Sequence, residues 1–249
     1  MTEIKNILIS NVYSWKNKGD AAIVIAMLDD VKKQFPEAKI TLSTHDPEDF
    51  GKYGKEYDYT LNFEPLLYTR KESKISRLLK SKAFLSKIKV LQVTKCNANK
   101  LFSKKIAEKI NSYKNYDLVI ACGGGYLLTT THRAIISRLI FAQDFYMAKH
   151  FNVPYILYNQ SIGPFHAKYH YLLLKKILNS ANAVLIREEI SFKRMQDYGM
   201  KNIHQVADIA FTMGVEENKE LVKKYLINEN IRLFSISKKI VEVIFDSEG

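Results

Sequence analysis

The sequence predicts an α/β fold, a Rossmann-like doubly wound parallel sheet. Short apolar runs of strand length alternate with longer segments of helical periodicity over most of the 249 residues. Polar residues and glycines gather just after the apolar runs, where the strands of such a sheet present ligand sites. The 47% hydrophobic and 26% charged composition suits a chain with a real core, and no apolar run is long enough to span a membrane.

The elements follow in order. Asn6 to Ser10 reads as a strand, followed by a loop through Tyr13-Ser14-Trp15 and a helix from about Asp20 to Phe35, ahead of Pro36. Lys39 to Ser43 is a second strand. Asp46 to Arg70, with Gly51, Gly54 and several tyrosines, reads as irregular. Two basic helices are expected over 72–91 and 98–113. Asp117 to Ala121 is a strand that runs into Gly123, Gly124 and Gly125, read as a strand-to-helix turn, with a helix from about Arg133 to His150. Pro154 to Tyr158 is a strand, Gly163-Pro164 a turn, and a helix continues to about Asn179. Ala183 to Ile186 and Ile203 to Val206 are strands flanking a helix at Ser191 to Tyr198, closed by Gly199. A helix at 217–226 and a strand at 231–235 would begin a further unit.

Charge and cysteine content narrow the function. The net charge of +12 is regional: Arg70 to Lys114 holds 14 Lys and Arg against Glu72 and Glu108, and the rest of the chain balances. Ile75, Leu78, Leu79, Ala83 and Ile88 recur there at helical spacing. Such a helix either packs its apolar face on the core with its lysines in water, or rests on an anionic membrane. Nucleic acid is not expected, because the segment has few aromatics to stack bases and no recognised motif. Cys96 and Cys122 make no disulfide framework, and MTEIKNILIS lacks the apolar core of a signal peptide; a cytoplasmic setting is expected.

The candidate site residues lie after successive strands: Asn17, Gly19 and Asp20; Gly123, Gly124 and Gly125; Gln160, Ser161 and Gly163; Arg187; Asp208. The glycines fit neither G-x-G-x-x-G nor a Walker loop, so no nucleotide cofactor is implied. Ser161 stands in N-Q-S-I-G, which is no nucleophile elbow. His166 and His170 are four apart, without an intervening Glu or a third ligand, and read as surface histidines rather than a zinc pair.

Five segments, NKGDAAI at 17–23, ACGGGYL at 121–127, NQSIGPF at 159–165, REEISF at 187–192 and VADIAF at 206–211, together resemble the polysaccharide pyruvyl transferase family over roughly the first 215 residues. That resemblance implies a GT-B-like architecture of two Rossmann-like halves, here 1–205 (with a basic helical insertion at 70–114) and the start of a second at 206–249. It also implies transfer of pyruvate from phosphoenolpyruvate, a substrate and not a cofactor, to sugar hydroxyls in exopolysaccharide or cell-wall synthesis, with a lipid-linked or nucleotide-linked acceptor. The family's second half supplies a basic catalytic residue, typically a histidine, whereas no histidine lies here beyond His204 and RLFSISKK at 232–239 resembles only that half's first strand. The expectation is a truncated chain. A GT-B-like nucleotide-sugar glycosyltransferase and a non-catalytic glycan-binding or scaffold remnant are the alternatives. Nothing in the sequence sets the oligomeric state.

The resemblance places a donor-binding arginine at Arg187, and a charge after an apolar strand suits a cleft. The alternative is an ion pair with Glu188, Glu189 or Asp208 that pins the strand end. Asp20 and Asn17 would touch the acceptor or take its proton, unless Asp20 merely caps its helix. Gly123 to Gly125 would let substrate approach the backbone beside a helix N-terminus, or simply allow close packing. Gln160 and Ser161 would bond sugar hydroxyls, or form the turn before Gly163.

Overall fold

Near-continuous apolar runs such as LVIA and AVLI dictate a sheet buried on both faces, and that is what forms. The computed structural model describes residues 4–13, 17–50, 56–69 and 71–212. The strands are β1 (Asn6–Val12), β2 (Lys39–Thr44), β3 (Asp58–Leu61), β4 (Leu118–Ala121), β5 (Gly124–Thr129), β6 (Tyr155–Phe165), β7 (Ala183–Ile186) and β8 (Ile203–Gln205). They lie in the order β3-β2-β1-β4-β6-β7-β8, with β5 also on β6, and every pair is parallel. The helices are α1 (Lys18–Gln34), α2 (Pro47–Phe50), α3 (Phe63–Leu67), α4 (Lys74–Thr94), α5 (Lys104–Ser112), α6 (Ala134–Phe141), α7 (Gln143–His150), α8 (Lys168–Leu178) and α9 (Glu189–Asp197).

Period-two patterning divides the core between the two faces. Ile7, Ile9, Leu118 and Ile120 pack under Val24, Met27 and Val31 of α1. Leu8, Val119, Ala121, Leu157 and Val184 face the other way, onto Phe84, Ile88, Ile110, Phe145, Leu174 and Met195 from α4, α5, α7, α8 and α9.

Five expectations need correction. The strand expected to end at Tyr158 runs on as β6 through Gln160, Ser161 and Gly163-Pro164 to Phe165, where a turn was expected. The stretch 46–70 is not wholly irregular: β3 adds to the sheet edge with Thr41 beside Asp58, a strand too short to stand out among its glycines. The glycine segment leads into β5 and not into a helix. Gly124 pairs with Gln160, Leu127 with Ile162 and Thr129 with Phe165, so β4 and β5 act as one bent strand along an 11-residue β6. The long helix expected over 133–150 is two, meeting at Ala142. On α4 the residues that enter the core are Ser81, Phe84, Ile88 and Leu91; Ile75, Leu79 and Ala83 face solvent. The helix and strand expected at 217–226 and 231–235, and the second domain from residue 213 on, lie outside the described residues. Residues 206–212 pack on the first unit, with Ile209 buried beside α1.

Candidate functional site

In a parallel sheet every strand delivers its loop to the same edge, and a crevice opens where the order reverses. Here that point lies between β1 and β4: the chain leaves β1 through α1 toward β2 and leaves β4 toward β6. A cavity of about 240 Å³ sits there, lined by Asn11 at the end of β1 and Tyr13 just after it, Asp20 and Val24 of α1, Cys122 to Tyr126, and Arg138 and Phe141 of α6. Its volume falls below the roughly 300–1,000 Å³ usual for drug-sized ligands.

Two asparagines shape the edge. Asn11 and Asn159 hold left-handed backbone, with φ of 60° and 55°, a conformation that asparagine tolerates better than other side-chain-bearing residues. Asn11 Nδ2 donates to the Tyr126 hydroxyl at 3.4 Å. Asn159 Nδ2 donates to the Ala207 carbonyl at 2.7 Å, and its Oδ1 accepts from Ile209 N–H at 3.2 Å. It therefore fastens the segment carrying Asp208 to the end of β6. The need for glycine at 123 follows: a Cβ there would meet the Asn159 carbonyl oxygen at 2.8 Å and Ile23 Cγ2 at 3.1 Å. Close packing of strand on strand is the reason for this glycine. No helix starts directly after the glycines as expected, since the next one begins at Ala134.

The expected helix cap is also reassigned. Asn17 caps α1, its side chain accepting from Gly19 N–H at 3.1 Å and Asp20 N–H at 3.5 Å. Asp20 lies in the first turn, free of capping, and lines the cavity. Burial raises its carboxyl above the ordinary range, opposed by the Arg187 charge. A carboxylate held in that way is better suited to accept a proton than a surface aspartate.

Arg187 is bound at both ends of its guanidinium. Nη1 donates to Asp208 Oδ2 at 2.9 Å, Nε donates to Ser161 Oγ at 3.0 Å, and Glu188 lies at 3.7 Å. The Ser161 hydroxyl donates to Glu188 at 2.7 Å. With its side chain 16% exposed, Arg187 is a solvent-reaching cation already in an ion pair. Gln160 is fully buried: Nε2 donates to the carbonyls of Cys122 at 2.6 Å and Tyr158 at 3.2 Å, pinning the β4–β5 bend, while Oε1 has no partner. Gly163 follows its own logic, with φ of 74° and the space of its missing Cβ taken by Arg194 Cδ at 3.0 Å.

Cys122 borders the cavity but is fully shielded. Burial pushes its thiol from the ordinary 9.0 up to about 12, with Asp20 adding to the rise and Arg187 opposing it. A group raised by folding contributes stability that is whole below pH 9.0 and lost as pH climbs toward about 12. Cys122 should therefore resist Ellman's reagent in the native protein at pH 8 while Cys96 reacts, both reacting in denaturant. Two fast native thiols would contradict the assignment.

Sequence reasoning missed Arg138, Tyr126 and His45. Arg138 Nε donates to the Leu128 carbonyl at 2.7 Å, and burial lowers its pKa. An arginine inside the apolar run AIISRLIF was the available signal, the same one used for Arg187. His45 lies beside the cavity wall, its ring tilted against Tyr13 at 5.1 Å and Phe141 at 5.9 Å. Its Nε2 donates to Glu64 at 3.2 Å and its Nδ1 accepts from Asn62 at 2.8 Å, and no local pattern links those three residues. His170 is not at the surface as expected: it is fully buried, with Nε2 unpartnered and Nδ1 on Thr129 Oγ1 at 2.7 Å. Burial, then the neighbouring His132 and His166, lower its pKa. Among the described residues no three metal-ligating side chains are grouped to hold an ion.

Fold and site together define an α/β domain with a small cavity at the topological switch, bounded by a carboxylate, bare glycine backbone and an arginine. The chain belongs to the polysaccharide pyruvyl transferase family, whose sequence model matches residues 17–247. That match continues beyond the roughly 215 residues that carried the resemblance. No curated protein matches the sequence. Among solved structures, a UDP-N-acetylglucosamine 2-epimerase is similar at TM-score 0.44 and 12% identity, over 84% of this chain and 49% of that one. A glycosyltransferase from Rickettsia africae ESF-5 is similar at TM-score 0.44 and 12% identity, over 93% of this chain and 50% of that one. The chain spans about half the length of each. Among the described residues no helix is long and apolar enough to cross a membrane.

Proposed function

We propose that the chain binds phosphoenolpyruvate at this edge and serves pyruvyl transfer to sugar hydroxyls of an exopolysaccharide or cell-wall glycan, in the cytoplasm. The carrying observation is the cavity: about 240 Å³, walled by Asp20, Gly123 to Gly125 and Arg138. It suits a three-carbon anion better than a nucleotide sugar. Family membership supports the same reading, and the free cysteines suit a reducing compartment.

The chemistry assigns the parts. The donor's methylene carbon gains a proton, and the adjacent carbon, now electron-poor, is attacked by an acceptor hydroxyl. Phosphate leaves, and a second hydroxyl closes the ketal. Of the two hydroxyl protons released, one balances the proton taken by the methylene and the other leaves with phosphate. Arg138 and Arg187 offset the donor's charge. Asp20 takes a hydroxyl proton. The acceptor is a sugar carried on a lipid or a nucleotide.

Calorimetric titration with phosphoenolpyruvate tests the donor site. Arg138→Ala and Arg187→Ala should each weaken binding about tenfold or more, the scale of a charge-assisted hydrogen bond. Because Arg187 also neutralises Asp208, Arg187→Ala/Asp208→Asn should restore stability without restoring affinity. Unchanged affinity in both arginine variants, or binding of a nucleotide sugar in place of phosphoenolpyruvate, would overturn the reading. Phosphate released from phosphoenolpyruvate in the presence of acceptor tests turnover.

A further inference from the structure

The face that α4 turns away from the core is apolar too. Ile75, Leu79, Val90 and Val93 are 72%, 62%, 46% and 78% exposed. At 100° per residue they fall within roughly 60° of one another, opposite Phe84, Ile88 and Leu91, along a helix about 30 Å long. Lys82 and Lys89 border this stripe on one side and Lys87 stands on the other, all exposed. α4 carries six Lys and Arg and no Asp or Glu. Lys80 pairs with Glu72 and Arg77 with Glu64, whereas Lys74, Lys82, Lys87 and Lys89 make no ion pair among the described residues.

We propose that this outward face of α4 rests on an anionic lipid surface, its four apolar side chains entering the headgroup boundary and its lysines meeting lipid phosphates. Charge complementarity selects the occupant. A second copy of this chain would bring another lysine-rich helix against the first, and like charges would oppose the contact. A lipid surface supplies the missing anions and an apolar layer together. α4 also packs on α6, which carries Arg138 and Phe141 of the cavity wall. The docked face is thus one helix away from the site. The inference stands independently of the transfer chemistry.

Co-sedimentation of the full chain with phosphatidylcholine vesicles, with and without phosphatidylglycerol, at low and high salt, tests it. Binding should require phosphatidylglycerol and weaken with salt. Lys82→Glu/Lys89→Glu should lower partitioning about tenfold or more. Leu79→Ser/Val93→Ser, which keeps every charge, should also lower it severalfold, and both variants should keep the wild-type urea midpoint because the side chains are exposed. Absence of binding, or binding indifferent to Leu79→Ser/Val93→Ser, would overturn the proposal. So would a concentration-dependent dimer that the same variant abolishes, since a second copy would then cover the face.

Discussion

Lys109→Ala is expected to lower the unfolding free energy by about 3–5 kcal/mol, read as a fall in urea midpoint at constant m. Lys109 and Asp144 lie 3.7 Å apart with side chains 3% and 2% exposed. Lys109 Nζ donates to Ser43 Oγ at 2.9 Å, and the Tyr113 hydroxyl donates to Asp144. Removing the cation leaves a carboxylate in the core with a single phenol for company. The loss exceeds that one pair, because the Ser43 hydroxyl donates to Asn62 Oδ1 at 2.7 Å, and Asn62 holds His45 and the Val12 carbonyl. Through His45 the chain of bonds reaches Glu64 and Arg77. Each member fixes the orientation of the next, so a deletion leaves several buried groups poorly met. Lys109→Met/Asp144→Leu should recover most of the loss, since removing both charges removes the desolvation penalty with them. Burial depresses the lysine pKa, Asp144 pulling it back. A single-variant loss below about 1 kcal/mol would mean that Lys109 sits neutral and contributes one hydrogen bond.

Gly123→Ala is expected to destabilise by about 1–3 kcal/mol and, unlike Lys109→Ala, to weaken donor binding in the protein that remains folded. The added methyl would lie 2.8 Å from a backbone oxygen and 3.2 Å from Asn159 Cβ. Neither is the flexible tip of a side chain, so the strand or Asn159 must shift. Asn159 fastens Ala207 and Ile209, on either side of Asp208, so the shift reaches the partner of Arg187. Gly125→Ala is the control: the nearest atom to its Cβ is Leu128 Cδ2 at 4.0 Å, and stability should change little. Equal effects of the two substitutions would mean that backbone freedom, and not contact, explains the glycines.

Much of the fold was legible because burial imposes a period. Strands such as 118–121 and 183–186 are uninterrupted apolar runs, and the helix after Asp20 carries Val24, Met27 and Val31 on one side. β5 escaped because three glycines carry no pattern, leaving YLLT too little to distinguish strand from turn. α4 misled for the opposite reason. It is apolar on two sides, so spacing alone admits more than one face, and only packing against Phe63 and Phe102 selects Phe84 and its neighbours for the core.

The site divides in the same way. Asp20, Gly123 to Gly125, Arg187 and Asp208 were visible because charges and glycines after apolar strands are costly to keep without a use. Arg138 and His45 reach the cavity region from other elements, and only closure of the chain brings them there, whereas Tyr126 follows the glycines on β5 itself.

The sequence by itself determined the class of fold, the family and the sheet edge at which the candidate residues gather, since all three follow from local pattern and short motifs. Tertiary structure alone decided that Asn17 and not Asp20 caps α1, that Gly123 makes room for a neighbouring strand, and which face of α4 meets water. Each of those choices depends on atoms distant along the chain, brought within a few ångströms by packing.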